Sequence, residues 1–304
     1  MYKQLQPTIK QGDKLIIGLG DSFTQGVGAY TDATWAEHNG KIDVAVFDPE
    51  LIKEQYEGSW VNQICQNHLP GWKGINLGHS GTGNRCAIKE LYLNPSLRLN
   101  LASEVIVVYM LSGIERFDFA HKELDNDQHH FYAMWPNSWD PNCANPELWK
   151  AYADVVHSDK FMVVELLLNI LEAQEFCRSR GFKLVVTNAF DQRVTRDWIT
   201  KVFGGVQEAI KNKFNTDPKF FNVEKIADQF DWKTFCYPNG RITFMEILCE
   251  LEGRAELAMG GFYKYYTSQD LSSEYITNCA HPSRKGHAVI AKELHKWLLA
   301  NKYV

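Results

Sequence analysis

The sequence predicts an α/β fold: a central parallel sheet with helices on both sides, a three-layer α/β/α sandwich. Three observations carry this reading. Short apolar runs recur at 15–20, 73–77, 105–110 and 183–187, each stopping at glycine or polar residues. Segments of helical spacing lie between them. Strand and helix alternate along the chain, which implies parallel neighbours joined by helical crossovers.

Taken in order, 15–20 reads Leu-Ile-Ile-Gly-Leu-Gly, a continuous apolar run of the kind buried on both faces of a sheet. A helix over 60–69 leads to the second strand at 73–77. A helix over 86–93 leads to the third at 105–110. The long helix over 161–180 ends at Gly181, which suits a left-handed position just past a helix. The fourth strand is 183–187. A helix over 197–213 and a short fifth strand over 220–223 follow. The last helix places Ile290, Leu294, Trp297 and Leu298 on one buried face. Three stretches exceed this minimum: 30–58; 118–159, with His129, His130, Trp135, Trp139 and Trp149; and 231–271, with Trp232, Tyr237, Phe262, Tyr263, Tyr265 and Tyr266. Long segments leaving strand ends build binding sites. They predict a rim or small cap on one domain spanning 1–304, with most of the aromatic rings packing loops onto the body.

Bulk properties narrow the function. A net charge of -5 with no basic run argues against nucleic acid as a partner. The seven cysteines, at 65, 86, 143, 177, 236, 249 and 279, are odd in number and form no Cys-x-x-Cys. That pattern predicts a reducing compartment and no structural zinc. Cys279, two residues from His281, reads as a small buried thiol. The adjacent His129 and His130 lack ligands at metal spacing, so no metal is expected. The polar first residues, 1–14, lack an apolar signal core, which predicts cytoplasmic synthesis without a secretory signal. The apolar stretch 161–177 carries Glu165, Asn169, Glu172 and Glu175, too many polar groups for a membrane span. Gly18-Leu19-Gly20 has Phe23 where a dinucleotide fingerprint needs its third glycine, so no cofactor is expected.

The chemistry concentrates at three places. Ser22 follows the first strand, at the sheet end where open α/β folds bind ligands. Serine needs a base to take its proton and donors to hold an oxyanion. His281, in His281-Pro282-Ser283-Arg284-Lys285-Gly286-His287 just before the last helix, supplies the base. Ser283 reads as that helix's N-cap and His287 as surface or packing. Donors come from Asn76-Leu77-Gly78-His79-Ser80-Gly81-Thr82-Gly83-Asn84, a glycine-rich turn entering a helix.

Together these blocks resemble the SGNH/GDSL hydrolase family: Gly20-Asp21-Ser22 after the first strand, the glycine block after the second, and the histidine block before the last helix. The resemblance spans about 15–298. It implies the SGNH type of three-layer sandwich, Ser22 as nucleophile, Gly81 as oxyanion donor and His281 as base. It also implies small acyl esters as substrates, including O-acetyl groups on carbohydrate, and no cofactor or metal.

Two positions depart from the family pattern. Glu115 stands where the third block has an oxyanion asparagine, and Arg116 where it has an aspartate. A carboxylate does not donate to an oxyanion, so Asn84 or Arg116 is expected to take that role, with Asn84 preferred. Asn278 stands where the triad acid belongs. It orients His281 through its side-chain oxygen, or Asp270 or Glu274 reaches in, or catalysis is lost. The third block also resembles versions in tailed-phage proteins, which implies a phage-encoded or virion-associated setting. The expected function is an ester hydrolase acting by acyl transfer. The alternative is a catalytically degenerate module that binds glycan or serves a larger assembly.

Overall fold

The computed structural model describes residues 5–38, 48–94, 98–114, 116–120, 131–134, 146–151, 154, 159–189, 194–201, 223–255, 273–277 and 280–304. Its strands are β1 (Lys14–Gly20), β2 (Trp72–Gly78), β3 (Glu104–Leu111), β4 (Phe117–Ala120), β5 (Phe131–Met134), β6 (Lys183–Asn188) and β7 (Phe235–Cys236). Five of them form a sheet in the order β2-β1-β3-β6-β7. Every neighbouring pair in it is parallel. The helices are α1 (Ser22–Gln25), α2 (Asp32–Glu37), α3 (Pro49–Gly58), α4 (Trp60–Asn67), α5 (Asn84–Leu93), α6 (Pro146–Ala151), α7 (Asp159–Arg180), α8 (Val223–Ala227), α9 (Phe244–Leu251) and α10 (Arg284–Ala300).

Side chains alternate across a strand, and here they divide the core in two. Leu15, Ile17 and Leu19 of β1 join Val107 and Tyr109 of β3 and Val186 of β6 under α5 and α7. Ile16 of β1, Ile106, Val108 and Met110 of β3 and Val185 of β6 face α4, α9 and α10. The result is the three-layer α/β/α sandwich that the sequence predicts. Gly18 belongs to the second face. A Cβ there would stand 2.5 Å from Val61, so its glycine lets α4 lie close on the sheet rather than cradling a phosphate.

The long helix closes where expected. Gly181 has φ +69, and Phe182 donates its N–H to the Cys177 carbonyl at 2.8 Å, the bond that ends a helix on a left-handed residue. The face expected on the last helix is present too: Ile290, Leu294 and Leu298 are fully buried, and Trp297 packs on Tyr303.

Two expectations fail. Residues 220–222 lie outside the described residues, but Val223 begins α8 instead of ending a strand; the fifth strand is β7. The stretch 231–271 is not rim throughout. Phe235 and Cys236 extend the sheet beside Val186 and Thr187, and α9 packs into the core through Phe244 and Leu248. Trp232 packs against Phe235 with centroids 4.7 Å apart. Of the helix expected over 197–213, residues 196–201 are helical and 202–213 lie outside the described residues. In 30–58, Tyr30, Trp35 and Leu51 form a small cluster of their own. In 118–159, β4 and β5 pair antiparallel. His129, His130, Trp135, Trp139, Phe262, Tyr263, Tyr265, Tyr266, Cys143 and Cys279 lie outside the described residues, and nothing of the Trp149 side chain is described. The other five cysteines are buried. Burial pushes the Cys65 and Cys177 thiols up to about 12.

Candidate active site

The sheet order reverses at β1: the chain steps from β1 to β2 on one side and returns to β3 on the other. Open α/β sheets bind ligands at such a switch point, beyond the C-terminal ends of the strands. Ser22 stands there, in the first position of α1. Asp21 caps that turn, its Oδ1 accepting from the Phe23 N–H at 3.0 Å.

His281 arrives from the far end of the sequence. Its Nε2 lies 2.8 Å from Ser22 Oγ. Both residues are largely enclosed, at 3 % and 9 % exposure. The histidine is held by its backbone: its carbonyl accepts from the Thr277 N–H at 2.8 Å and from Thr277 Oγ1 at 3.0 Å. Phe23 packs on its ring, centroids 5.6 Å apart. The loop after α1 closes from the other side. Gly28, at φ +91, comes so near that a Cβ would stand 2.6 Å from the Pro282 carbonyl and 3.2 Å from His281 Cβ. Ser283 caps α10, accepting from Gly286 N–H at 3.1 Å.

His287 is buried completely, so it is not a surface residue. Neither ring nitrogen has a hydrogen-bond partner among the described residues. Val27 backbone lies beside the ring, short of hydrogen-bond geometry. Burial, with nearby His281 adding to it, pushes the imidazole down to about 3 and keeps it neutral.

The expected oxyanion donors divide. Gly81 sits exposed between β2 and α5 at φ +77, with open space about its Cα. Its N–H takes no hydrogen bond among the described residues. Asn84 is committed elsewhere. Its Nδ2 donates to the Ser112 carbonyl at 3.0 Å, and its Oδ1 accepts from the Ser112 N–H at 2.9 Å. The carboxamide thus pairs with the end of β3 as another strand would. Arg116 is also committed. Its Nη1 donates to Asp21 Oδ2 at 2.7 Å and to the Thr82 carbonyl at 3.0 Å. It therefore forms a buried ion pair with Asp21. Ser112 Oγ adds a bond to Asp21 Oδ2 at 2.9 Å. Asp21, Ser112 and Thr82 were not singled out from the sequence for any of this. Their signal was available: adjacent parallel strands that end together bring the residues after each into contact.

Glu115, Asp270 and Asn278 lie outside the described residues. Glu274 does not serve His281: it is half exposed and pairs with Lys285 at 2.9 Å. Among the described residues, no three metal-ligating side chains gather at one point, and no helix is long and apolar enough to cross a membrane.

No protein-family model matches the chain, and no curated protein sequence matches it. Solved structures do. One is 12% identical over 95% of this chain and 98% of its own, with a TM-score of 0.39. The lipase/acylhydrolase from Enterococcus faecalis is 12% identical over 94% of this chain and 95% of its own, with a TM-score of 0.37. Likeness this distant says nothing of the chemistry, which rests on the geometry above.

Proposed function

We propose that the chain is a serine ester hydrolase acting on small acyl esters, with Ser22 as nucleophile and His281 as base. One observation carries the reading: a hydroxyl and an imidazole 259 residues apart in sequence meet at 2.8 Å at the switch point of the sheet. In the proposed course, Ser22 Oγ–H donates to His281 Nε2 and Oγ attacks the acyl carbonyl. The Ser22 and Gly81 N–H groups hold the oxyanion. His281 returns the proton to the leaving alcohol. Water then attacks the acyl-enzyme by the same route and frees the acid. Asn278 orients the imidazole in this scheme. Asn84 positions rather than donates, because its carboxamide already holds Ser112, and Arg116 holds Asp21 through Nη1. O-acetyl groups on carbohydrate, including a host surface glycan met from a phage particle, are the substrates the family resemblance favours.

The test is a fluorophosphonate probe on the full chain, with aryl acetate and butyrate turnover beside it. A single adduct, absent from Ser22→Ala and His281→Ala, together with turnover lost in both, is the expected result. A folded protein with neither adduct nor turnover would leave the degenerate binding module as the better reading.

A further inference from the structure

The two N–H groups assigned to the oxyanion stand on different elements, Ser22 on α1 and Gly81 in the loop between β2 and α5. Their separation has to be fixed by something that joins the two. Downstream of Gly81, the Thr82 carbonyl accepts from Arg116 Nη1 at 3.0 Å and from Ser112 Oγ at 3.1 Å. Upstream, the Ser80 N–H donates to the Gln25 side-chain oxygen. Gln25 is the last residue of α1, which Ser22 begins. One side chain thus runs from the helix of the proposed nucleophile to the loop of the second donor. Ser80 is exposed, so without Gln25 its N–H would bond mobile water. The glutamine replaces that water with an acceptor fixed to α1.

Gln25 is itself braced. Its Nε2 donates to Gln55 Oε1 at 3.1 Å, and Gln55 Nε2 donates to the Tyr30 hydroxyl. All three side chains are buried. Gln55 is carried by α3, and the Tyr30 ring meets Trp35 edge-on, with centroids 5.3 Å apart. The backbone of α1 is held as well. Asn76 Nδ2, on β2, donates to the Thr24 carbonyl at 2.8 Å and to the Gln25 carbonyl at 3.2 Å. Two glycines permit the close approach: a Cβ on Gly78 would collide with the Gln25 backbone, and one on Gly26 with the Gln55 carbonyl. Buried polar groups bonded end to end rigidify what they touch, and losing one member leaves its neighbours unsatisfied. An apolar side chain at position 25 would fill the space but hold nothing.

We infer that Gln25, braced by Gln55 and Tyr30, is a positioning residue that fixes the Gly81 loop against the helix of Ser22. Its catalytic meaning rests on the hydrolase reading above; its hold on Ser80 does not. That hold is therefore tested first, by NMR hydrogen exchange at the Ser80 amide of the full chain. Gln25→Leu should speed exchange there by about fivefold or more, the worth of one hydrogen bond, while amides of α7 keep their rates. Tyr30→Phe keeps the ring on Trp35 and removes only the hydroxyl, so it should move Ser80 exchange the same way and less far. With an aryl acetate, Gln25→Leu should lower kcat by more than about tenfold, since a donor displaced near 1 Å can cost about a hundredfold. KM should stay as it was, because a donor that acts only in the transition state adds nothing to ground-state binding. Unchanged Ser80 exchange in folded Gln25→Leu, or in Tyr30→Phe where the first variant does not fold, would overturn the assignment. So would faster exchange with kcat intact, or a loss confined to KM, in a protein that turns esters over. Faster Ser80 exchange with no ester turnover even in the unaltered chain would keep the hold on the loop and sink the hydrolase.

Discussion

At the scale of single residues, the site depends on one buried carboxylate. Asp21 is fully enclosed and receives Arg116, the Ser112 hydroxyl and the Phe23 N–H. Removing one partner of a buried ion pair strands the other charge, at a cost of about 3–5 kcal/mol. Arg116→Met should lose that much stability in urea unfolding. In an Asp21→Asn background the same change should cost far less, since no charge remains to be stranded. Equal losses in both backgrounds would show that Arg116 acts through packing alone. Asn84 gives a second case. Asn84→Ala leaves the Ser112 N–H and C=O without their partners, each worth about 1–3 kcal/mol when buried. A marked fall in melting temperature should accompany any fall in turnover. An intact fold with turnover down a hundredfold would return Asn84 to the oxyanion role expected from sequence. The meeting of Ser22 with His281 was legible because their residue types match a known chemical task in chain order. The commitments of Asn84 and Arg116 were not, because each depends on a partner at least 28 residues away that only the sheet order brings near.

At the scale of elements, four of the five sheet strands were legible as apolar runs, because burial on both faces leaves no polar alternation to obscure them. β7 was not. It is two residues long, and only its pairing with Val186 and Thr187 makes it a strand. α1 is a single turn that exists because Asp21 caps it, too short for any periodicity. The loop after α1 bears most on the proposed reaction, since it abuts the histidine segment at Gly28. Gly28→Ala combines a strained φ of +91 with a close approach to Pro282. It should destabilise the fold by about 1–3 kcal/mol and, by shifting His281, lower kcat more than tenfold, because displacement near 1 Å can cost about a hundredfold. Turnover unchanged alongside a lowered melting temperature would separate this loop from the chemistry.

At the scale of the whole molecule, the layered architecture was readable, because strands apolar on both faces need helices on both sides. The enclosure of His287 was legible in part: His287 stands three and seven residues before Ile290 and Leu294, on the face of the last helix that is buried, and packing was one of its two expected roles. Its effect on stability has a definite sign. The imidazole falls from its ordinary 6.5 to about 3 on folding. The unfolded chain therefore binds the extra proton first, so stability is complete above pH 6.5 and drains as pH falls toward 3. Between pH 6 and 4 the loss approaches about 1.4 kcal/mol per pH unit. His287→Leu should flatten that part of the profile while changing little at pH 8. An identical acid slope in the two proteins would assign the loss to other groups. The meeting of Ser22 with His281 has a further consequence, in time instead of space. A ribosome adds the serine 259 residues before the histidine, so throughout synthesis the nascent chain carries an idle hydroxyl. In the proposed reaction, acyl chemistry would switch on only after α10 has docked beside α4, so that turnover would report that the two ends of the sequence have met.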